Sequence, residues 1–336
     1  MRHTRHTSSR SVRLKMLMPD KLPKTQAALS SAASKLSAFA CVRSSLSSKN
    51  SREEVRALLG DRGEIVSHPI VHVGSDRVTL EGIECDAYFA VDRVSADPGV
   101  GFLSSLLLSY CEMFDDFEKN CTSLAISDLR YLYGLIPRIF SFSGIDDEFY
   151  TPITLPRSQI TADQVIPNVR WEIGHHAFFT TIQALSFSLS CLLHAIEEDR
   201  LSDINSALEL ATSLVLGSSA VMKYASAFSA SEYSEIVRPT MPDGFSGIYN
   251  FDHRYLVGLF GRLRGVVPIL VVRSSDMYSQ FLTAVGAMYE AHAGVCSRFG
   301  GGTLPSLRMK AQGTSTVQTS VELLDKFRIK RLALLK

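Results

Sequence analysis

The chain has 336 residues, 46% of them hydrophobic, with 35 Lys and Arg against 34 Asp and Glu. That composition builds a sizeable soluble core, and a net charge of +1 excludes a global field favouring nucleic acid or an anionic membrane. At this length one large domain with trimmings or two domains are both expected.

Residues 1–50 are rich in Ser, Ala and Lys, and Arg2, Arg5, Arg10, Arg13 and Lys15 make the start basic. The region reads as a basic, partly disordered tail that turns helical near TQAALSSAASKLSAFACVRSSL. No apolar run follows the basic residues, so a secretory signal is not expected. No run of ~18 uncharged apolar residues predicts a membrane span. The cysteines at 41, 85, 111, 121, 191 and 296 lack close pairing, which argues against a disulfide framework or a thiolate zinc site and fits a reducing cytoplasm.

Residues 51–98 are expected to form a small α+β region. Ser51 and Glu54 resemble a capping box opening a short helix that ends at Gly60. EIVSHPIVHV and RVTLEGIECDAYFAV, with Gly74-Ser75-Asp76 between them, predict a hairpin or a small three-stranded sheet. His68 and His72 would share one face of a strand, but no third metal ligand stands nearby.

From residue 99 to 336 the hydrophobic period is helical, and the expected fold is a mainly α bundle with a buried central layer. The predicted helices are carried by GFLSSLLLSYCEMFDDFEKN, SLAISDLRYLYGLIPRIF, WEIGHHAFFTTIQALSFSLSCLLHAIEEDR, DINSALELATSLVLGSSAVMKYASAFS, NFDHRYLVGLFGRLRG, SDMYSQFLTAVGAMYEAHAGVCSRF and TSVELLDKFRIKRLALLK. Dinucleotide-binding glycine motifs, a phosphate loop, a nucleophile elbow and a His-Glu-x-x-His pair are all missing. The FGGGTLPS segment follows a helix C-terminus, where the dipole repels anions, so it reads as a cap or lid rather than a phosphate cradle.

The histidines therefore carry most of the chemical interest. His194, beside Glu197 and Glu198 at a helix end, has a structural role. His175 and His176 open a long apolar helix, and since neighbours point ~100° apart, one of them is expected to face inward as an acid/base, a ligand contact or core filling. His253 shares an apolar stripe with Leu256, Val257 and Phe260. A second stripe runs Met277, Phe281, Val285, Met288, His292, Cys296 and Phe299, which puts an imidazole and a thiol about one turn apart on one face. Gly286, Ala287, Ala291, Ala293 and Gly294 lie nearby, small enough to admit a large flat ligand such as a haem. A His and a Cys at this spacing also occur by chance, and core packing with an inert thiol is the competing reading.

Taken together, His253, His292 with 38 residues between them, and Ala293-Gly294-Val295-Cys296 resemble the His-xn-His-x-x-x-Cys pattern of saframycin-type 3-methyl-L-tyrosine hydroxylases. Those are haem enzymes of the indoleamine and tryptophan dioxygenase superfamily. The His-bearing helix, the Gly-rich loop and AQGTSTVQTSVELLDKFR follow the helical order of that superfamily over roughly residues 100–330. The resemblance implies a superfamily-type helical bundle and a peroxide-using haem monooxygenase. It would convert 3-methyl-L-tyrosine to 3-hydroxy-5-methyl-L-tyrosine in antibiotic biosynthesis.

By the same resemblance, His292 is the proximal iron ligand and Cys296 forms a single thioether with a haem vinyl group. His253 is a second axial ligand or the base that helps to cleave peroxide. Gly313 and Thr314 belong to a loop closing over the amino acid, and Arg170, Arg238 and Lys223 are candidates for its carboxylate. The expected partners are the aromatic amino acid and hydrogen peroxide, with no nucleic acid and no membrane. The alternatives are a tryptophan or indole dioxygenase-like haem enzyme and a cofactor-free helical binding protein.

Overall fold

The computed structural model describes residues 13–37, 46, 48–61, 68–69, 78–120, 122–144, 165–303, 307 and 319–336. Its elements in chain order are β1 (Leu14–Leu17), α1 (Gln26–Ser37), α2 (Lys49–Asp61), β2 (His68–Pro69), α3 (Leu80–Tyr88), β3 (Val91–Ser95), α4 (Pro98–Asn120) and α5 (Ile126–Phe142). They continue with α6 (Pro167–Glu197), α7 (Leu201–Ala225), α8 (Phe251–Leu263), α9 (Val267–Arg273), α10 (Ser275–Cys296) and α11 (Ser320–Leu334). The fold is mainly helical, as expected, and the periodic segments beyond residue 99 all form helices.

α6 is the central post. It starts on Pro167, whose fixed φ suits a first helical turn, and its length is buried on nearly every side between α4, α7 and α8. Its hydroxyls are used within the core: Ser109 and Thr180 hydrogen-bond at 2.8 Å, and the Tyr110 hydroxyl meets Thr181 at 2.9 Å, joining α4 to α6. Gly174 allows α6 to approach the end of α7 so closely that a Cβ there would strike the Ala225 backbone.

The small sheet has the order β1-β3-β2. β1 runs parallel to β3 with Leu14 opposite Val91, and β2 pairs antiparallel on the other side, His68 opposite Ser95. Three expectations are corrected here. Leu14–Leu17, read as part of a tail, form β1 and join the sheet, whereas the helix expected near TQAALSSAASKLSAFACVRSSL forms as α1, whose Leu29, Ala32 and Ala33 enter the main core. Within RVTLEGIECDAYFAV, residues 80–88 are helical rather than extended, because Thr79 caps the Gly82 amide and Cys85 and Asp86 turn inward one turn on. His72 lies outside the described residues.

The third correction concerns apolar length. Three helical stretches, Pro167–Glu197, Leu201–Ala225 and Phe251–Arg273, are long and apolar enough to cross a membrane by length and composition. The bundle uses the first two for its own interior, where 78% and 72% of their most apolar windows are buried, against 33% in the third.

A buried charged cluster ties the sheet to the bundle. The Arg93 guanidinium on β3 donates to both Asp86 oxygens at 2.8 and 2.9 Å, to both Asp252 oxygens at 3.2 and 2.8 Å, and to the Leu17 carbonyl at 2.9 Å. The Gln183 amide on α6 adds a 2.7 Å bond to Asp252 and another to Leu17. Burial pulls the Arg93 pKa down, but Asp252 and Asp86 outweigh it and hold the group charged.

Removing the cation strands two buried carboxylates, so Arg93→Ala is expected to cost about 3–5 kcal/mol in urea unfolding. Asp92→Ala, which breaks the exposed pair with Arg13, should cost less than about 1 kcal/mol. Equal losses in the two variants would refute the structural weight given to Arg93.

Candidate active site

α8 begins at Asn250, whose side-chain oxygen accepts from the amides of Asp252 at 3.0 Å and His253 at 3.1 Å. This cap fixes the first turn, and the Arg93 cluster holds Asp252 from the other side. His253 is thereby presented with Leu256, Val257 and Phe260 to a cavity of about 350 Å³. The opposite walls come from α6, α7, α10, α11 and the segment around Tyr233–Ile248. α10 contributes Met288, Tyr289, His292, Val295 and Cys296 at steps of three and four. The structure thus brings His253, His292 and Cys296 to one largely apolar cavity.

The small residues of α10 do not make the space. Gly286, Ala293 and Gly294 are absent from the cavity wall, and Gly294, ~200° around the helix from His292, faces outward. The room comes from the gap between helices, with Met288, Tyr289 and Val295 flanking His292. At the end of α10, Ser297–Gly301 forms a wide π turn and Gly300 takes φ 84°, which glycine alone adopts readily. Phe299 is clamped there between Tyr233 and Phe228, at ring distances of 4.2 and 5.5 Å.

Burial sets the protonation states. His292 is lowered to about 4 by desolvation. His253 is also lowered to about 4, mainly by desolvation, with the charges of Arg331 and His292 adding and the Ile248 backbone opposing. Its Nδ1 is buried with no partner at hydrogen-bond geometry. The Cys296 thiol is pushed up to about 11 by burial, so it remains protonated at neutral pH.

The adjacent pair on α6 divides in a way the sequence did not predict. Both rings lie inside the protein. His176 is fully buried, its Nε2 at 2.6 Å from the Phe89 carbonyl and its Nδ1 at 3.4 Å from Glu112. Burial lowers its pKa, but Glu112 outweighs that and the net shift is upward. His175 instead lines the cavity, stacked on Phe89 at 4.2 Å and lowered to about 3, chiefly by desolvation.

Of the cations proposed for the carboxylate, Arg238 lines the cavity beside the Tyr233 phenol. Arg170 does not. It is buried, bonded to Asp116 at 2.8 Å and to the Ala227 carbonyl at 3.2 Å, and Tyr224 shares the same Asp116 oxygen. Lys223 pairs with Asp128 at 2.8 Å, away from the cavity wall. Gly313 and Thr314 lie outside the described residues. Arg331 was not anticipated: it stands on the cavity wall with its guanidinium 5.2 Å from the Phe260 ring centre. The available signal was its four-residue step from Phe327, which also lines the cavity.

Comparisons with known proteins place this architecture. A sequence profile of the family described as SfmD 3-methyl-L-tyrosine peroxygenase matches residues 15–281, a span that includes His253 and stops before His292. The 3-methyl-L-tyrosine peroxygenase of Streptomyces lavendulae is 29% identical over 171 residues. That alignment takes in 49% of this chain and 46% of the relative, so the chain spans about half the length of the curated relative it matches. A crystal structure of SfmD reduced by soaking with sodium hydrosulfite has the same fold, with a TM-score of 0.66 at 22% identity, covering 85% of this chain and 98% of that one. The chain belongs to the SfmD-type 3-methyl-L-tyrosine peroxygenase family.

Proposed function

We propose that the protein is a histidine-ligated haem peroxygenase that uses hydrogen peroxide to convert 3-methyl-L-tyrosine to 3-hydroxy-5-methyl-L-tyrosine. The observation that carries this reading is the pair of neutral imidazoles, His253 and His292, brought by two helices to one apolar cavity. Among the described residues His253 Nδ1 is a buried nitrogen with no partner at hydrogen-bond geometry, and no hydrogen bond engages the His292 ring.

The donor set fits a haem better than a bare ion. Among the described residues no cluster of three His, Cys, Asp or Glu side chains could hold a metal. A haem brings four nitrogen donors of its own and would need only one or two side chains from the protein to hold its iron. Arg238 and Arg331 on the walls suit carboxylates, whether of the cofactor or of the substrate. When bound, the haem supplies the oxidising chemistry, activating peroxide at its iron.

The chain's own residues have separate tasks. His292 would hold the iron through a ring nitrogen whose lone pair burial keeps free. His253 would hold it as a second ligand at rest. Released, its neutral ring would be the base that moves a proton between the two peroxide oxygens. Cys296, a protonated thiol on the same wall, would hold the haem edge through a single thioether. Leu256, Phe260 and Phe327 exclude water from the reacting groups.

The purified protein should be red and retain its colour through acid–acetone extraction. Cys296→Ala should bind haem but release it on extraction, whereas His292→Ala should lose most of it. Equal haem content in His292→Ala and the parent would refute the ligand assignment. Peroxide and 3-methyl-L-tyrosine should give a catechol; N-formylkynurenine from tryptophan, with no catechol, would replace hydroxylation by dioxygenation.

The cavity histidines also predict a pH dependence for the cofactor-free chain. His175, His253 and His292 have folded pKa values of about 3, 4 and 4 against 6.5 when unfolded. Between pH 6.5 and about 4 the unfolded chain therefore binds more protons, and stability falls as pH falls. The raised pKa of His176 opposes this, as one group against three. The urea midpoint should drop between pH 7 and 5, and a flat profile would contradict the burial of these rings.

A further inference from the structure

The cavity holds a third histidine that neither iron ligation nor the thioether uses. His175 stands on the α6 wall with Trp171 one turn before it and Phe179 one turn after, and Phe89 stacks on its ring at an interplanar angle of 14°. Its Nδ1 lies 2.7 Å from the Trp171 carbonyl. A carbonyl only accepts, so Nδ1 carries the proton and the tautomer is fixed.

That bond turns Nδ1 towards the backbone of its own helix and places Nε2 at the far side of the ring, towards the cavity. Nε2 is left with a lone pair and, among the described residues, no hydrogen-bond donor. Desolvation keeps the ring neutral, so the lone pair persists at physiological pH. Phe89, Trp171, Phe179 and Phe245 surround this position with aromatic faces and edges. Arg238 lies on the same cavity beside Tyr233, whose ring is 5.9 Å from Trp171.

We infer that His175 Nε2 is the acceptor that recognises the substrate's phenol hydroxyl, with the aromatic side chains around it receiving the ring and Arg238 available to the carboxylate. The inference rests on the peroxygenase reading and adds to it the group that selects a phenol over a plain phenyl ring. Three features of the site match a hydroxylated aromatic amino acid: an acceptor with no internal donor, an apolar aromatic box, and a cation. A bare phenyl ring would leave the Nε2 lone pair desolvated and unmatched, and that mismatch is what gives discrimination.

The test measures equilibrium binding of 3-methyl-L-tyrosine and of 3-methyl-L-phenylalanine, which lacks the hydroxyl, to the haem-loaded protein. The parent should prefer the phenol by about tenfold or more. His175→Phe should retain haem and bind the two ligands within about twofold of each other, while His175→Gln, whose amide oxygen still accepts, should keep part of the preference. Should His175→Phe fail to fold, His175→Leu is read in the same way.

A folded His175→Phe that keeps the full preference would overturn the inference, as would a parent that binds both ligands equally. Haem loss in His175→Phe as complete as in His292→Ala would make His175 an iron ligand and overturn it too. If the parent binds neither compound, the tyrosine-derivative reading itself falls. That outcome is distinct from binding both without preference, which removes only the role of His175.

Discussion

The Arg93 guanidinium, buried between two carboxylates, is the constraint on which the arrangement depends. Its partners come from different parts of the chain: Asp86 from α3, Asp252 from α8 and the Leu17 carbonyl from β1, with Gln183 of α6 closing the ring of bonds. A charge with this little water around it tolerates no loose partner, because each displaced oxygen leaves a buried donor without an acceptor in a low-dielectric interior. The cluster therefore fixes where the small sheet meets the bundle. It acts on the site through a single peptide bond, since Asp252 is locked into the cluster while His253, the next residue, faces the cavity.

The cavity works by the opposite rule. Around Arg93 every strong donor has an acceptor; around His253 and His175 a nitrogen is left unmatched. Both arrangements use burial, which is why they can coexist a few residues apart. Desolvation strengthens the paired charges of the first and keeps the imidazoles of the second neutral, with lone pairs open to a ligand. Arg170 shows what happens to a cation that falls into the first kind of environment. Asp116 and the Ala227 carbonyl hold it in the core, whereas Arg238 on the cavity wall remains within reach of a ligand.

Much of this was legible in residue spacing. The stripes that carry His253 with Leu256 and Phe260, and His292 with Met288 and Cys296, are the same residues that line the cavity. A helix turns by a fixed angle per residue, so which side chains share a face is decided locally. The readings that failed were those in which a distant partner decides. Residues 80–88 are β-rich in composition yet helical, because their inward face meets Arg93 and Phe251. The small residues beside His292 were expected to make room for a flat ligand, but they face away and the helix gap makes the room. His175 and His176 were expected to divide into one inner and one outer residue; α6 is surrounded on nearly all sides, so both are inside.

By itself the sequence determined the helices, their apolar faces and the placing of an imidazole and a thiol one turn apart, because all of these follow from short-range geometry along one chain segment. It also carried the motif that points to the family. Tertiary structure decided which of the candidate side chains face one another across a cavity, which arginine is tied up in the core and which lines the wall, and how far burial shifts each titrating group. Those outcomes depend on desolvation and on partners many residues away, such as the 159 positions that separate Arg93 from Asp252. No local pattern encodes them.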